Sequence, residues 1–320
     1  MTQPPHSGAA PFDKAARETL TAVARTAVGD LVALDVAQGA RAALPAVRQL
    51  VRSIPALGAE PAALGDADSD LLAALAELCE VIGWILFDAG LDQAAHRMNS
   101  RALDLAGLCG DRAVARLVLL NDSMLHARAE RPLAALESAA RVAGPRPLPT
   151  LVATLVLVRR AHALAMLGAS RTAERLISRA RSRFLDGPSP HDPPWAWWID
   201  QAELTGHHGW VLARLGARDR AIPLLHEAAT APGPSYRDLF TAELLAALTG
   251  ARAWREAEDL ITELAPRAAR IGSARTTQTL TRTATRLRGC AKAPANLRDA
   301  AVHLLESVPP HPGGEGRPSR

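Results

Sequence analysis

The chain has 320 residues, 48% of them hydrophobic but only 3% aromatic, so its apolar content is mostly Ala, Leu and Val. Strand-rich domains draw on aromatic and β-branched residues, whereas Ala and Leu are the strongest helix formers, which points to an all-α chain. A net charge of +4 is thin evidence for a nucleic-acid binder at this length, and Cys79, Cys109 and Cys290 form no CxxC pair, which removes zinc-knuckle and redox motifs.

The N-terminus, MTQPPHSGAAPF, has neither the basic start nor the apolar run of a signal peptide. Residues 1–11 are expected to be a disordered tail, 12–65 an N-terminal helical segment, 66–307 a helical repeat domain, and 308–320 (VPPHPGGEGRPSR) a second tail. The longest apolar stretches, such as Val81–Phe87, are far shorter than a membrane span. An odd cysteine count suits a reducing compartment, so a cytoplasmic protein without membrane contact is expected. Between the tails, segments of helical periodicity alternate with short Gly- or Pro-bearing breaks, including Gly90, Gly110, Glu130–Pro132, Gly168–Ser170, Gly216–Arg218 and Gly250–Ala253.

Three of these breaks align: DAG-LDQAA, MLG-ASRTA and RLG-ARDRA. Small residues precede each turn glycine (Gly83, Ala161, Gly209) and follow it twice (Ala95 and Ala102, Ala173 and Ala180, Ala221 and Ala228). Such positions suit two helices crossing closely, and they match the tetratricopeptide (TPR) spacing. Ser123, Ala135 and Val142 fit a fourth unit loosely, and Gly250 with Ala257 a fifth with a longer turn. Gly216 and Gly250 are 34 residues apart, the TPR period of about 34. The longer Gly168–Gly216 interval is explained by an insertion, DGPSPHDPPW. The expected architecture is therefore an all-α, TPR-like superhelix of antiparallel helix pairs.

Several phrases are similar to the C-terminal regions of actinobacterial helix-turn-helix (XRE-type) regulators: GWILFDAGLDQAA, RALDLAGLCGD, DPPWAWWIDQAELTGHHG and GSARTTQTL. The resemblance covers most of residues 30–306 and implies a TPR-like regulatory superhelix with a groove or pocket. Family members usually begin with a DNA-binding domain. Here the first long helix, from near Phe12, already resembles the segment that follows it, and no basic recognition helix is apparent, so direct nucleic-acid binding is not expected.

In TPR register Glu80, Trp84 and Asp88 face the concave surface; alternatively, Trp84 packs on the next unit and Asp88 caps Leu91–Ala95. Trp198, Glu203, Trp210 and Arg214 belong to the same inner face. Arg159, Arg160 and His162 interrupt the apolar run TLVLVRRAHALAML and suit an anion patch. Asp122 and His126, at i and i+4, have the carboxylate–imidazole pairing that general-base catalysis uses. Asp192 is expected to cap a helix from Trp195 to about Leu215, with Trp195 and Trp197 wedging the insertion against a neighbour. Glu203 and His207 could be half a metal site, but no second donor cluster is apparent, and no Walker A, GxGxxG or GxSxG motif occurs; no metal or cofactor is expected. Arg282, Arg286 and Arg288 read as a solvated stripe.

These features fit a binding module for a protein, peptide or small molecule, regulatory or adaptor in role and part of a homo- or hetero-oligomer. The alternative is a cofactor-independent enzyme or enzyme subunit of specialised metabolism, running an elimination or cyclisation with Asp122, His126 and His162. An open groove with exposed Trp84, Trp198 or Trp210 favours binding. A closed pocket where a His, a carboxylate and an Arg converge favours catalysis.

Overall fold

The computed structural model describes residues 14–59 and 68–309; residues 60–67 and the expected tails lie outside the described residues, except the start of the C-terminal tail, where Val308 is buried and its N–H donates to the Leu304 carbonyl. Among the described residues the chain is all-helical, with fourteen α-helices and no strand. Two helices come first, α1 (Lys14–Gln38) and α2 (Ala40–Ser53). Six more follow in pairs: α3 (Ser69–Asp88) and α4 (Asp92–Cys109), α5 (Arg112–Arg128) and α6 (Pro132–Arg141), α7 (Thr150–Met166) and α8 (Ser170–Leu185). The remaining pairs are α9 (Gln201–Arg214) and α10 (Arg218–Thr230), α11 (Asp238–Ala251) and α12 (Trp254–Ala268), α13 (Ala274–Arg288) and α14 (Ala295–Ser307).

The odd-numbered helices form one row: α1 packs on α3, α3 on α5, and so on to α13. Most even-numbered helices pack on both flanking members of that row. Local chemistry starts the row helices firmly. Side-chain oxygens of Asp68, Asp111, Asp200 and Ser273 accept backbone N–H bonds at the starts of α3, α5, α9 and α13. For α7 the cap comes from elsewhere. Asp192 accepts from Leu151 N at 2.8 Å and from Ser189 N at 2.6 Å, so it starts α7 rather than the helix after it. The expected helix from Trp195 to Leu215 is correspondingly two pieces, a 3-10 turn (Pro194–Trp198) and α9, separated by Ile199 and the Asp200 cap.

The small residues lie where helices cross. Ala95, Ala102, Ala161, Ala173, Ala180, Ala221 and Ala228 are fully buried. A Cβ on Gly209 would stand 2.8 Å from Leu225 Cγ and 3.0 Å from its backbone N. In the loosely fitting unit, Ser123 Oγ donates to the Ala135 carbonyl at 2.8 Å. One turn geometry recurs six times: an N–H bonds back to the carbonyl five residues earlier at Leu91, Asp111, Arg131, Ala169, Ala217 and Ala253. The left-handed residue of that turn is Gly90, Gly110, Glu130, Gly168, Gly216 and Arg252. Gly250 is thus not the turn residue that the spacing suggested. It lies inside α11, and its Cα faces Arg218 closely enough that a Cβ would meet Nε at 2.3 Å.

The first helices also touch the last ones. Arg41 N donates to the Gly272 carbonyl at 3.0 Å, and a Cβ on Gly39 would stand 2.9 Å from Gly272 Cα. Ser235 Oγ donates to the Asp35 carbonyl at 3.1 Å. Asp88 on α3 accepts from Ser273 Oγ at 2.8 Å and Arg275 Nε at 2.5 Å on α13. The row therefore closes around an interior.

Candidate functional site

Two chambers occupy that interior. The first, about 360 Å³, is lined from every odd-numbered helix and from the Pro194–Trp198 turn. Its walls carry Trp84, Trp195, Trp197, Trp198, Tyr236 and Phe240, together with the carboxylates Asp35, Glu77, Glu80 and Glu203. The second, about 450 Å³, is lined by Arg128, Arg214, Arg218, Arg282 and Arg286, with Glu130 and Glu243. Met124, Arg159, Leu239 and Arg275 belong to both walls, so the chambers lie back to back.

Three of the first chamber's carboxylates, Asp35, Glu80 and Glu203, are buried and held from several elements, while Glu77 is exposed. Trp84 Nε1 donates to Asp35 Oδ2 at 3.2 Å, and Asn121 Nδ2 donates to Glu80 Oε1 at 2.7 Å. His207 Nε2 lies 3.3 Å from Glu203 Oε1, and Arg237 Nε lies 3.7 Å from Glu203 Oε2. Burial is the largest influence on each carboxyl. It pushes Asp35 up to about 7, helped by the nearby Asp88 charge, and Glu80 up to about 8, helped by Glu77. It pushes Glu203 up to about 7 against the opposing pull of Arg237 and Arg159.

A hydrogen-bonded file leads between the chambers. Glu203 meets His207, and His207 Nδ1 lies 3.2 Å from His162 Nε2, which borders the second chamber beside Trp210. The His162 and Trp210 rings pack edge to face with centroids 4.3 Å apart. Burial first, then the neighbouring His207 and Arg159 charges, hold His162 well below the ordinary imidazole range. Burial and the charges of Arg159 and Arg275 do the same for His207. Both rings are therefore neutral, and each donates from one nitrogen and accepts at the other.

The inner-face residues expected from sequence divide between these spaces. Glu80, Trp84, Trp198 and Glu203 line the first chamber, Trp210 and Arg214 the second, and Arg159 both. Arg159 is buried, and Nε donates to the Leu120 carbonyl at 3.3 Å. Desolvation lowers it to about 9. Arg214 pairs with Glu130 at 2.8 Å near the surface.

Other expectations are corrected. Asp88 lines neither chamber and caps no turn; its Oδ1 accepts instead from both Ser273 and Arg275. Trp84 bonds α1 rather than packing only on the next unit. Asp122 and His126 do not form a catalytic pair. Asp122 Oδ1 accepts from Asn99 Nδ2 at 2.7 Å, on the side facing α4, and neither residue borders a chamber. Of the three catalytic candidates, only His162 reaches the interior. Arg160 is exposed, which dissolves the anion patch drawn from Arg159, Arg160 and His162. Trp195 does wedge, donating to the Ala113 carbonyl at 3.1 Å, yet it and Trp197 also face the first chamber. Arg282 and Arg286 are exposed but border the second chamber.

Glu203 and His207 do meet, as their spacing suggested, but their next neighbour is the Arg237 guanidinium, a poor companion for a metal cation. Among the described residues no three His, Cys, Asp or Glu gather in a metal-holding group. Sequence reasoning missed Asp35, Tyr236 and Arg275. Arg275 lay in view within GSARTTQTL, where buried Thr276, Thr277, Thr279 and Thr283 mark a polar helix turned inward. Asp35 and Tyr236 carry no local signal, since their neighbours come from distant segments.

No protein-family profile matches the chain, and no curated protein matches it. Among the described residues no helix is long and apolar enough to cross a membrane.

Proposed function

We propose that this protein is a TPR-like helical-repeat binding module that takes a small molecule in its interior, in a regulatory or adaptor role. One observation carries the reading: every odd-numbered helix contributes to one aromatic-walled chamber of about 360 Å³. That volume lies in the range of small-molecule sites, as does an apolar lining broken by a few converging polar groups. The contacts of the α1–α2 junction with the turn before α13 close the helix row, a geometry suited to a compact ligand rather than an extended peptide. The resemblance to the C-terminal regions of helix-turn-helix regulators fits a sensor that passes occupancy to a protein partner.

The test is native mass spectrometry of the purified protein after exposure to a metabolite extract, with melting temperature followed in parallel. A bound compound of small-molecule mass is expected, with a raised melting temperature, and Trp198→Ala abolishes both. Capture of a peptide, with no small molecule bound, overturns the reading.

A second reading has its own observation. Glu203, His207 and Arg237 converge within 3.3 and 3.7 Å on the chamber wall, the carboxylate–imidazole–guanidinium arrangement that acid–base chemistry uses. If the protein is an enzyme, this group replaces Asp122 and His126 as the reacting centre. Loss of turnover but not of ligand binding in Glu203→Gln distinguishes the two readings.

A further inference from the structure

We infer that the aromatic chamber is a site for an organic cation, a hydrophobic amine or quaternary ammonium whose charge is met by Asp35, Glu80 and Glu203. This deepens the small-molecule reading above and rests on it. Three helices (α1, α3 and α9) each commit one carboxylate to the same wall, and each is buried, at 5%, 5% and 7% exposure. Carboxylates are rarely placed so deep without a partner. Here the partnering is incomplete: Asp35 Oδ1 and Glu203 Oε2 are buried acceptors with no hydrogen-bond donor from the protein. Natural folds seldom leave such atoms unsatisfied, and a bound donor or cation would satisfy both.

The charges around the chamber cover this acidity only in part. Glu77 adds a fourth lining carboxylate on α3, and Arg159 on α7 and Arg275 on α13 are the lining cations. Arg275 is already engaged by Asp88, which does not line the chamber. Arg237, from the Ser235–Arg237 turn, is shared between Asp200 and Glu203. The other titratable neighbours, His207 and Tyr236, bring no positive charge, because burial keeps the imidazole neutral and pushes the phenol upward.

The walls suit a cation independently of the carboxylates. Trp84, Trp195, Trp197, Trp198 and Tyr236 supply π faces, and these attract positive charge most strongly when water is excluded. The chamber already shows this contact, since the Arg275 guanidinium lies 4.9 Å from the Trp84 ring centre. An anion would face the carboxylates, and a neutral apolar ligand would leave their orphan oxygens without partners.

The test titrates the protein with benzyltrimethylammonium, its neutral carbon isostere neopentylbenzene, and phenylacetate, following tryptophan fluorescence and binding heat at pH 6 and pH 8. The cation is expected to bind at least tenfold tighter than the isostere, with phenylacetate weakest. Its affinity should rise about tenfold from pH 6 to pH 8, as a carboxyl poised near 7 goes from mostly protonated to mostly ionised. Asp35→Asn, Glu80→Gln and Glu203→Gln should each weaken the cation and remove part of that pH dependence. Their shapes are conserved, and melting curves check that they fold. Should one unfold, the wild-type contrast between cation and isostere still decides. If the isostere binds as tightly as the cation, the cation assignment falls and the small-molecule reading stands. If none of the probes disturbs the tryptophans, the assignment falls as well, and the metabolite-extract experiment alone judges the binding-module reading.

Discussion

The two chambers share walls and differ in almost everything else. The first gathers carboxylates and tryptophans, the second seven arginines and two glutamates. What sets their chemistry is burial as much as residue type. In the first chamber desolvation outweighs the guanidinium groups nearby, so Glu203 is held up to about 7 in spite of Arg237 and Arg159. The same rule appears in the second chamber, where Glu243 is pushed up to about 7 although Arg282 and Arg214 oppose it. Arg282 and Arg286 escape the penalty by reaching toward water, whereas the buried Arg159 is lowered to about 9. Burial costs the charged form of an acid more than a partly solvated arginine gives back.

The contrast breaks most severely at the shared wall. Asp88→Ala leaves Arg275 buried without its carboxylate, and loss of one partner of such a pair costs about 3–5 kcal/mol. Chemical denaturation should show that loss, and both chambers should lose their ligand capacity together. An unchanged midpoint would mean that Arg275 finds another partner.

Next comes the file between the chambers. His207→Leu removes a partner from Glu203 and from His162 at once, at a cost of about 1–3 kcal/mol. Imidazole nitrogen shifts in the wild type should show that the His162 tautomer changes when Glu203 ionises; in the variant that response should vanish.

Raised carboxyls govern stability above neutral pH, most of them in the first chamber, with Glu243 in the second. Asp35, Glu80 and Glu203 have folded-state values above their unfolded ones, so the folded protein holds more protons. Their contribution is complete at low pH and is lost as pH rises through 7 to 8. His162 and His207 act the other way, because their values are depressed, and they cost stability only as pH falls below about 6.5. Stability should therefore decline from pH 6.5 to pH 8.5. Glu80→Gln should remove on the order of 1–2 kcal/mol of that decline. A wild-type melting temperature that is flat across this range would contradict the assignment.

The smallest effect belongs to the rim of the arginine chamber. Arg214→Ala breaks a half-exposed pair with Glu130 and should shift stability by less than about 1 kcal/mol. The shift should shrink further in high salt, unlike that of Asp88→Ala, which is shielded from solvent.

How much of this was legible in the sequence follows from the range of each interaction. Helical periodicity, the Asp and Ser caps and the small residues at crossings are local or nearly so, and they determined that the chain is all-helical with helices meeting in pairs. The spacing of Gly90, Gly168 and Gly216 found three of the six equivalent turns. The turn at Glu130 was fitted only loosely, through Ser123 and Ala135, and the one at Arg252 was misplaced to Gly250, because an L-residue there adopts the left-handed conformation under the constraint of its surroundings rather than by its own preference. Glu80, Trp84, Arg159, Trp198, Glu203 and Trp210 could be put on the inner face by register alone.

Register could not say which space each residue reaches, nor that Asp88 bonds to α13 or that Asp122 turns toward Asn99. Those outcomes depend on contacts between segments far apart in the chain, such as Asp35 with Trp84 and Asp88 with Arg275. The sequence by itself determined the helices and the faces they offer. Closure of the row, and with it the burial that raises Asp35, Glu80 and Glu203 in the first chamber, was decided only by the tertiary structure, because desolvation belongs to the enclosed space and not to the residue.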